Sequence, residues 1–225
     1  IKTCTIKKEE NHWYVILACD VNITVPKKPI RKSTGIDLGL TNFAVLSDGE
    51  EIENPKYLKK SEAKLKEIQS KYSKGKSKKV KKQLTGLHRK ITNQRKDFQH
   101  KLSRQLANNY DMISYEDLKI KQMIQDNEYH LQKHIYDACW GQFISMLLYK
   151  VEETGTTCIA VNPQGTTQLC SNCGSNVPKD LSVRSHKCAV CGFETTRDHN
   201  AALNIHKLGT NLVNQALPEI SEATF

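Results

Sequence analysis

No apolar run in this sequence approaches the ~18–20 residues that a bilayer span needs, and no secretory leader opens it. No membrane partner is therefore expected. There is no initiator methionine either: Ile1 leads straight into a strand-like stretch, so an upstream segment is expected. A disulfide scaffold lacks support, because four of the eight cysteines cluster as two Cys-x-x-Cys pairs. The other four, Cys4, Cys19, Cys139 and Cys158, stand singly beside apolar stretches and read as buried free thiols. That usage points to a reducing, cytoplasmic compartment. Acidic residues are scarce in one region: from Lys56 to Asn109, eighteen Lys or Arg face only Glu62, Glu67 and Asp97, a net of +15 that leaves the rest of the chain at −5. Such an arm suits a phosphate backbone, whose condensed counterions it would release. A merely solvated helix face is the plain alternative. Lys78, Lys79, Lys81, Lys82, Arg89, Lys90 and Arg95 are the candidate nucleic-acid contacts within it.

With 225 residues the chain can bury one substantial core and carry a small satellite that a metal must hold together. Trp13 to Ala18 reads as a strand that Val21 to Val25 extends, and Pro26 to Ser33 as a basic linker. Thr34 to Leu40, Phe43 to Leu46 and a short strand near Glu51 to Asn54, with the Asp48-Gly49 turn between the last two, predict an antiparallel meander. Leu58, Leu65 and Ile68 begin a helical pattern that Gly75 interrupts. Val80, Leu84, Leu87, Ile91, Phe98, Leu102 and Leu106 then recur at three- and four-residue steps, predicting a long helix and a hairpin across Lys74 to Ser77. Met112 to Tyr115 reads as a buried strand, Lys119 to Glu128 as a polar loop, and Ile135 to Val151 as a helix with Tyr149 to Val151 on its core side, ended by Gly155. The same helix carries Trp140, expected in the core. Thr156 to Val161 is the next strand, Asp198 opens a last helix, and the residues past Gly209 read as a loose tail.

CSNCG at Cys170 and CAVCG at Cys188 repeat one unit, with fourteen residues between the inner cysteines. Two residues between thiolates let both reach one ion, and Gly174 and Gly192 let the backbone turn beneath the sulfurs. Four soft thiolates from Cys170, Cys173, Cys188 and Cys191 suit one tetrahedral structural Zn²⁺ and leave no position for chemistry. His186 is the only nearby substitute ligand, and four well-spaced cysteines make it unnecessary.

Three acids stand beside buried strands or at a helix start. Asp37 lies in GIDLG, Glu116 ends ISYEDL, and Asp198 lies in the first turn of TTRDHNAALNI. Taken singly, Asp37 and Glu116 read equally as surface turn residues and Asp198 as an ordinary N-cap. Taken together they suit hard cations such as Mg²⁺, which take oxygen ligands.

GIDLGLTNFAVLSDG, YEDL, DACWGQF, VNPQGTTQLCSNCG, CAVCG and RDHNAALNI occur here in the order found in TnpB/OrfB proteins, which the chain resembles from about Gly35 to Leu208. These are transposon-encoded, RNA-guided DNA endonucleases related to the type V CRISPR effectors. The resemblance implies an α/β, RNase H-like (RuvC-type) mixed sheet with a helical insertion and an inserted four-cysteine zinc ribbon. Its segments would be residues 1–25, the end of a wedge-like β domain; 26–165, the nuclease core with a basic insertion at about 56–109; 166–195, the ribbon; and 196–225, the last helix and tail. Asp37, Glu116 and Asp198 match the family's catalytic acids and would hold two Mg²⁺ (or Mn²⁺) for phosphodiester hydrolysis. All three are present, as in an active member. Thr196 stands where many members carry an acid. The implied partners are DNA, a guide RNA and the guide–target heteroduplex, with an N-terminal recognition lobe that this sequence does not contain. Arg197 either contacts phosphate or pairs with an acid, His199 either packs or moves protons, and the Thr166–Gln168 run either binds phosphate or braces the ribbon. A non-catalytic nucleic-acid-binding module or accessory protein is the alternative.

Overall fold

The computed structural model describes residues 1–9, 12–21, 24–125, 129–180 and 182–216. Thr3–Glu9 (β1) and His12–Ala18 (β2) pair antiparallel from Thr3 opposite Ala18 to Glu9 opposite His12. This hairpin stands apart from the core. Trp13 and Val15 remain 65% and 64% exposed, and Cys4 and Cys19 are exposed, which corrects the buried reading of those thiols. Cys139 and Cys158 are only partly buried. The proposed extension over Val21 to Val25 falls partly outside the described residues, and Thr24 and Val25 form no strand.

The meander forms as its turn chemistry dictates. Ser33–Leu38 (β3), Asn42–Leu46 (β4) and Glu51–Glu53 (β5) pair antiparallel in sequence order, with Gly49 at φ +92 in the second turn. Tyr57–Gly75 (α1) and Lys78–Asn109 (α2) then make the helical hairpin. Met112–Glu116 (β6) returns to lie parallel to β3. Ile120–Gln125 (α3), Tyr129–Ala138 (α4) and Trp140–Thr154 (α5) lead to Thr157–Val161 (β7), parallel to β6. The sheet order is β5-β4-β3-β6-β7, a mixed five-stranded sheet. Ser185–Lys187 (β8) and Glu194–Thr196 (β9) form a separate ribbon, and Arg197–Ala216 (α6) follows at once.

One face of the sheet is covered by α2 and α5. Ile36, Leu38, Phe43 and Leu46 pack there with Leu102, Leu106, Phe143 and Leu147. The Phe43 ring meets Phe98 and Phe143 edge-on at centroid separations of 5.0 and 5.1 Å. Trp140 is buried, as expected.

Four further expectations are corrected. The stretch Lys119 to Glu128 is not all loop, since α3 occupies 120–125 and residues 126–128 lie outside the described ones. The helix over Ile135 to Val151 is two helices that meet at Cys139, a non-glycine residue at φ +52. Gln99 of α2 spans that break, its Nε2 donating to the Ala138 oxygen at 2.9 Å and to the Cys139 oxygen at 3.2 Å, the latter also accepting the Gln142 and Phe143 amides of α5. On α5, Tyr149 is exposed, while Lys150 and Val151 are buried as expected, the Lys150 Nζ donating to His100 O and Ser103 Oγ at 2.7 Å each. Finally, α6 runs on to Ala216, so the segment past Gly209 is helical, and residues 217–225 lie outside the described ones.

Candidate functional site

Side chains alternate across a strand, and two close contacts fix which face carries the acids. A Cβ on Gly35 would meet Ala202 O and His206 N of α6, and one on Gly209 of α6 would meet Ser114 Oγ of β6. Gly35 and Ser114 are register partners in the parallel β3–β6 pair. Both therefore face α6, and so do the residues two further on, Asp37 and Glu116. Bulk is excluded at these contacts, so α6 lies close on the sheet. Its first turn then stands at the carboxyl ends of β3 and β6 and carries Asp198.

Asp37 feels the other two carboxylates. Asp37 is hemmed in by protein atoms, and its carboxyl is held well above the ordinary range, chiefly by burial and then by the charges of Glu116 and Asp198. Glu116 is also raised by burial, against a hydrogen bond from Thr166 Oγ1 to Oε1 at 2.5 Å. Asp198 Oδ1 lies 3.3 Å from Arg197 Nε and 4.0 Å from Arg184 Nη1. Asp198 is not the helix cap: Thr196 Oγ1 accepts the His199 amide at 3.1 Å, a role threonine fills well. The Asp198 side chain is thereby left to the acid site, with the helix N-terminus favouring its charge. Like charges gathered in a protein wall, with oxygen donors only, fit a hard divalent cation.

The four cysteines meet as their spacing predicts. All four sulfurs lie within 4.8 Å of one another, the one such cluster of candidate metal-ligating groups among the described residues. The three carboxylates are not drawn together as tightly: Glu116 and Asp198 reach Asp37 through their charge, while the thiolates are already closed. Cys170 and Cys191 sulfurs are 3.7 Å apart, and Cys173 and Cys188 sulfurs 3.6 Å. A tetrahedral site with Zn–S of about 2.3 Å requires roughly 3.8 Å between sulfurs. Gly174 and Gly192 sit at φ +77 and +73, the left-handed turns that the sequence assigned them. Their amides donate to Cys170 O and Cys188 O at 2.8 and 2.9 Å. Hydrogen bonds from Ser175 pull the Cys173 thiol down to about 6. His186 is buried beside Phe193 and stands outside the cluster.

The basic residues divide. Lys78, Lys79, Lys81, Lys82 and Lys90 are exposed on α2. Arg89 Nη1 lies 3.1 Å from His12 Nδ1 on the hairpin. Arg95 is instead committed to Asp137, with Nε to Oδ1 at 2.7 Å and both side chains largely buried, while Asp137 also accepts the Leu58 amide at the start of α1. This pair ties α1, α2 and α4 together. Arg197 takes the acid-pairing option. His199 is a brace, with Nδ1 2.9 Å from Thr195 Oγ1 and Nε2 3.3 Å from Ser47 O.

Sequence reasoning missed the grip of α6 on the ribbon. Asn200 accepts the Ser171 amide at 2.9 Å and donates to Leu169 O at 2.8 Å. Asn204 donates to Thr166 O and Leu169 O at 2.8 Å each, and Lys207 Nζ donates to Ser171 O. The available signal was the polar stripe Asn200, Asn204, Lys207 at helical spacing, on the helix that opens with Asp198.

The profile of the OrfB_IS605 family, described as a probable transposase, matches residues 9–127, and that of the Cas12f1-like TNB domain matches residues 140–205. A putative RNA-guided DNA endonuclease from Streptomyces pristinaespiralis is 34% identical over 215 residues, covering 92% of this chain and 52% of that protein. The putative RNA-guided DNA endonuclease InsQ from Escherichia coli K12 is 29% identical over 228 residues, covering 93% and 57%. The chain spans about half the length of the curated relatives it matches. A cryo-EM structure of a Cas12f1–sgRNA–target DNA complex shares the fold with a TM-score of 0.60 at 21% identity, covering 89% of this chain and 55% of that one.

Proposed function

The chain belongs to the OrfB_IS605 family, and from that premise we propose that it is the nuclease part of an RNA-guided DNA endonuclease, cutting DNA phosphodiesters at Asp37, Glu116 and Asp198. The observation that carries this reading is the placement of these acids, which three sequence-distant segments bring to one side of the sheet, with Glu116 and Asp198 acting on the Asp37 charge. The naming of its relatives as RNA-guided DNA endonucleases supports the same class.

The carboxylates would hold two Mg²⁺ or Mn²⁺, which when bound supply a water of lowered pKa and charge neutralisation at the scissile phosphate. Asp37 lies between the other two acids in its interactions and is the residue placed to serve both cations. Glu116 would close the β6 side with its free oxygen, the other being held by Thr166. Asp198 would close the α6 side, and Arg197 beside it balances charge. No serine or cysteine nucleophile is needed. The four cysteines would hold one structural Zn²⁺ and, as free thiolates, suit a reducing, cytoplasmic setting. The exposed lysines of α2 would follow the backbone of a guide RNA or guide–target duplex, with recognition supplied by a lobe outside these residues.

The test is base-resolved cleavage of guide-matched DNA with Mg²⁺ and with EDTA. Mg²⁺-dependent products ending in 5′-phosphate and 3′-hydroxyl support the reading. Tight binding without any Mg²⁺-dependent product would leave a binding module.

A further inference from the structure

Glu116 ends a strand on a side chain with three rotatable bonds, yet one of its oxygens is fixed. Thr166 Oγ1 stands 2.5 Å from Oε1, and Thr166 is only 3% exposed. The hydroxyl has one proton and two acceptors in reach, Glu116 and Pro163 O at 3.0 Å, and the ionised carboxylate is the stronger.

Thr166 is itself held from two sides. From α6, Asn204 Nδ2 donates to its carbonyl at 2.8 Å, and from the cysteine side it is tied through the chain that follows it. Gly165 O collects the Gln168 and Leu169 amides at 3.0 and 2.9 Å, closing the chain from Gly165 to Leu169 into one turn. The next residue is Cys170, whose sulfur belongs to the cluster and whose amide donates to Ser175 O at 2.9 Å. A metal on the thiolates therefore fixes one end of this turn, and the Thr166 hydroxyl sits at the other. Without the metal the small ribbon has little apolar core to hold it, because the metal contributes the folding energy of such sites.

We propose that Thr166 is a positioning residue through which the four-cysteine cluster sets the divalent-cation affinity of the carboxylate site. This rests on the reading of Asp37, Glu116 and Asp198 as a cation site. Groups that orient a metal ligand typically change affinity by about ten- to hundredfold, which sets the expected size of the effect.

The experiment measures Mn²⁺ binding to the purified, zinc-loaded chain by the electron paramagnetic resonance signal of free Mn²⁺, with melting curves to confirm folding. Thr166→Val is expected to weaken Mn²⁺ binding by about ten- to hundredfold, and Thr166→Ser, which keeps the hydroxyl, to restore it. Cys173→Ser, which opens the cluster, is expected to produce a similar loss. The double variant Thr166→Val/Cys173→Ser should be no weaker than either single one, because both act through one link. Wild-type affinity in Thr166→Val, no rescue by serine, or fully additive losses in the double variant would overturn the proposal. Asp37→Ala, run alongside, separates the two readings. If it removes Mn²⁺ binding while Thr166→Val does not, only the coupling falls; if it leaves binding intact, the carboxylate reading falls and takes the coupling with it.

Discussion

Gly35 on β3 and Ala202 on α6 approach backbone to backbone: a Cβ on Gly35 would stand 2.3 Å from the Ala202 carbonyl oxygen. Neither side can yield by turning a side chain, so the whole helix would have to move. Because α6 carries Asp198 and β3 carries Asp37, this contact sets the distance across the acid site. Gly35→Ala is expected to destabilise the fold by roughly 3 kcal/mol, the upper end for overpacking, measured by urea unfolding. It should also weaken Mn²⁺ binding more than Gly86→Ala, which meets open space in α2.

The contact also shows what the sequence could and could not disclose. The meander, the helical hairpin and the cysteine cluster rest on local rules, namely an Asp-Gly turn, an apolar period and a Cys-x-x-Cys-Gly repeat, and all were legible. The acids were legible as residues, while their shared face depends on the β3–β6 register and on how closely α6 lies, which are long-range facts. Tyr149 misled for a related reason. The core side was read through Tyr149 to Val151, but Lys150 and Val151 take the buried positions, Lys150 because the His100 carbonyl and Ser103 hydroxyl of α2 satisfy it, and Tyr149 is turned outward. The break at Cys139 was hidden in the same way, since Gln99, far upstream on α2, is what reaches the Ala138 carbonyl there.

A pH dependence follows from Asp37. Its carboxyl is raised in the metal-free fold by burial and by Glu116 and Asp198, so the folded state binds the proton more tightly than the unfolded one. Stability is then greatest below the unfolded value near pH ~4 and falls as pH rises toward the raised folded value. In metal-free protein, Asp37→Asn should flatten this fall and raise the melting temperature at neutral pH. Saturating Mg²⁺ should raise the wild-type melting temperature and leave that of Asp37→Asn much less changed.

The cysteine cluster predicts about one zinc per chain by elemental analysis, as four thiolates make one closed site. Cys173→Ser should lose the metal. Hydrogen exchange should then accelerate in the ribbon that holds Cys170 and β8–β9, while α2 and α5 keep their protection, because their core is remote from the sulfurs.

Neutralising Lys78, Lys79, Lys81 and Lys82 together should weaken binding to duplex DNA or RNA and flatten its salt dependence, by at most about one unit of slope per lost phosphate contact. Arg95→Gln should behave differently. It breaks the buried pair with Asp137 and should lower the melting temperature with little change in salt slope.

If Asp37, Glu116 and Asp198 form one cation-dependent nuclease site, removing the Asp37 carboxylate must abolish cleavage. The direct test compares wild type with Asp37→Ala, each reconstituted with a guide RNA, using base-resolved DNA cleavage in Mg²⁺ against EDTA. The expected result is Mg²⁺-dependent cleavage by wild type and none above the EDTA background by Asp37→Ala, with DNA binding retained because the α2 lysines and the cysteine ribbon are untouched. Equal Mg²⁺-dependent cleavage by the two proteins would contradict the account.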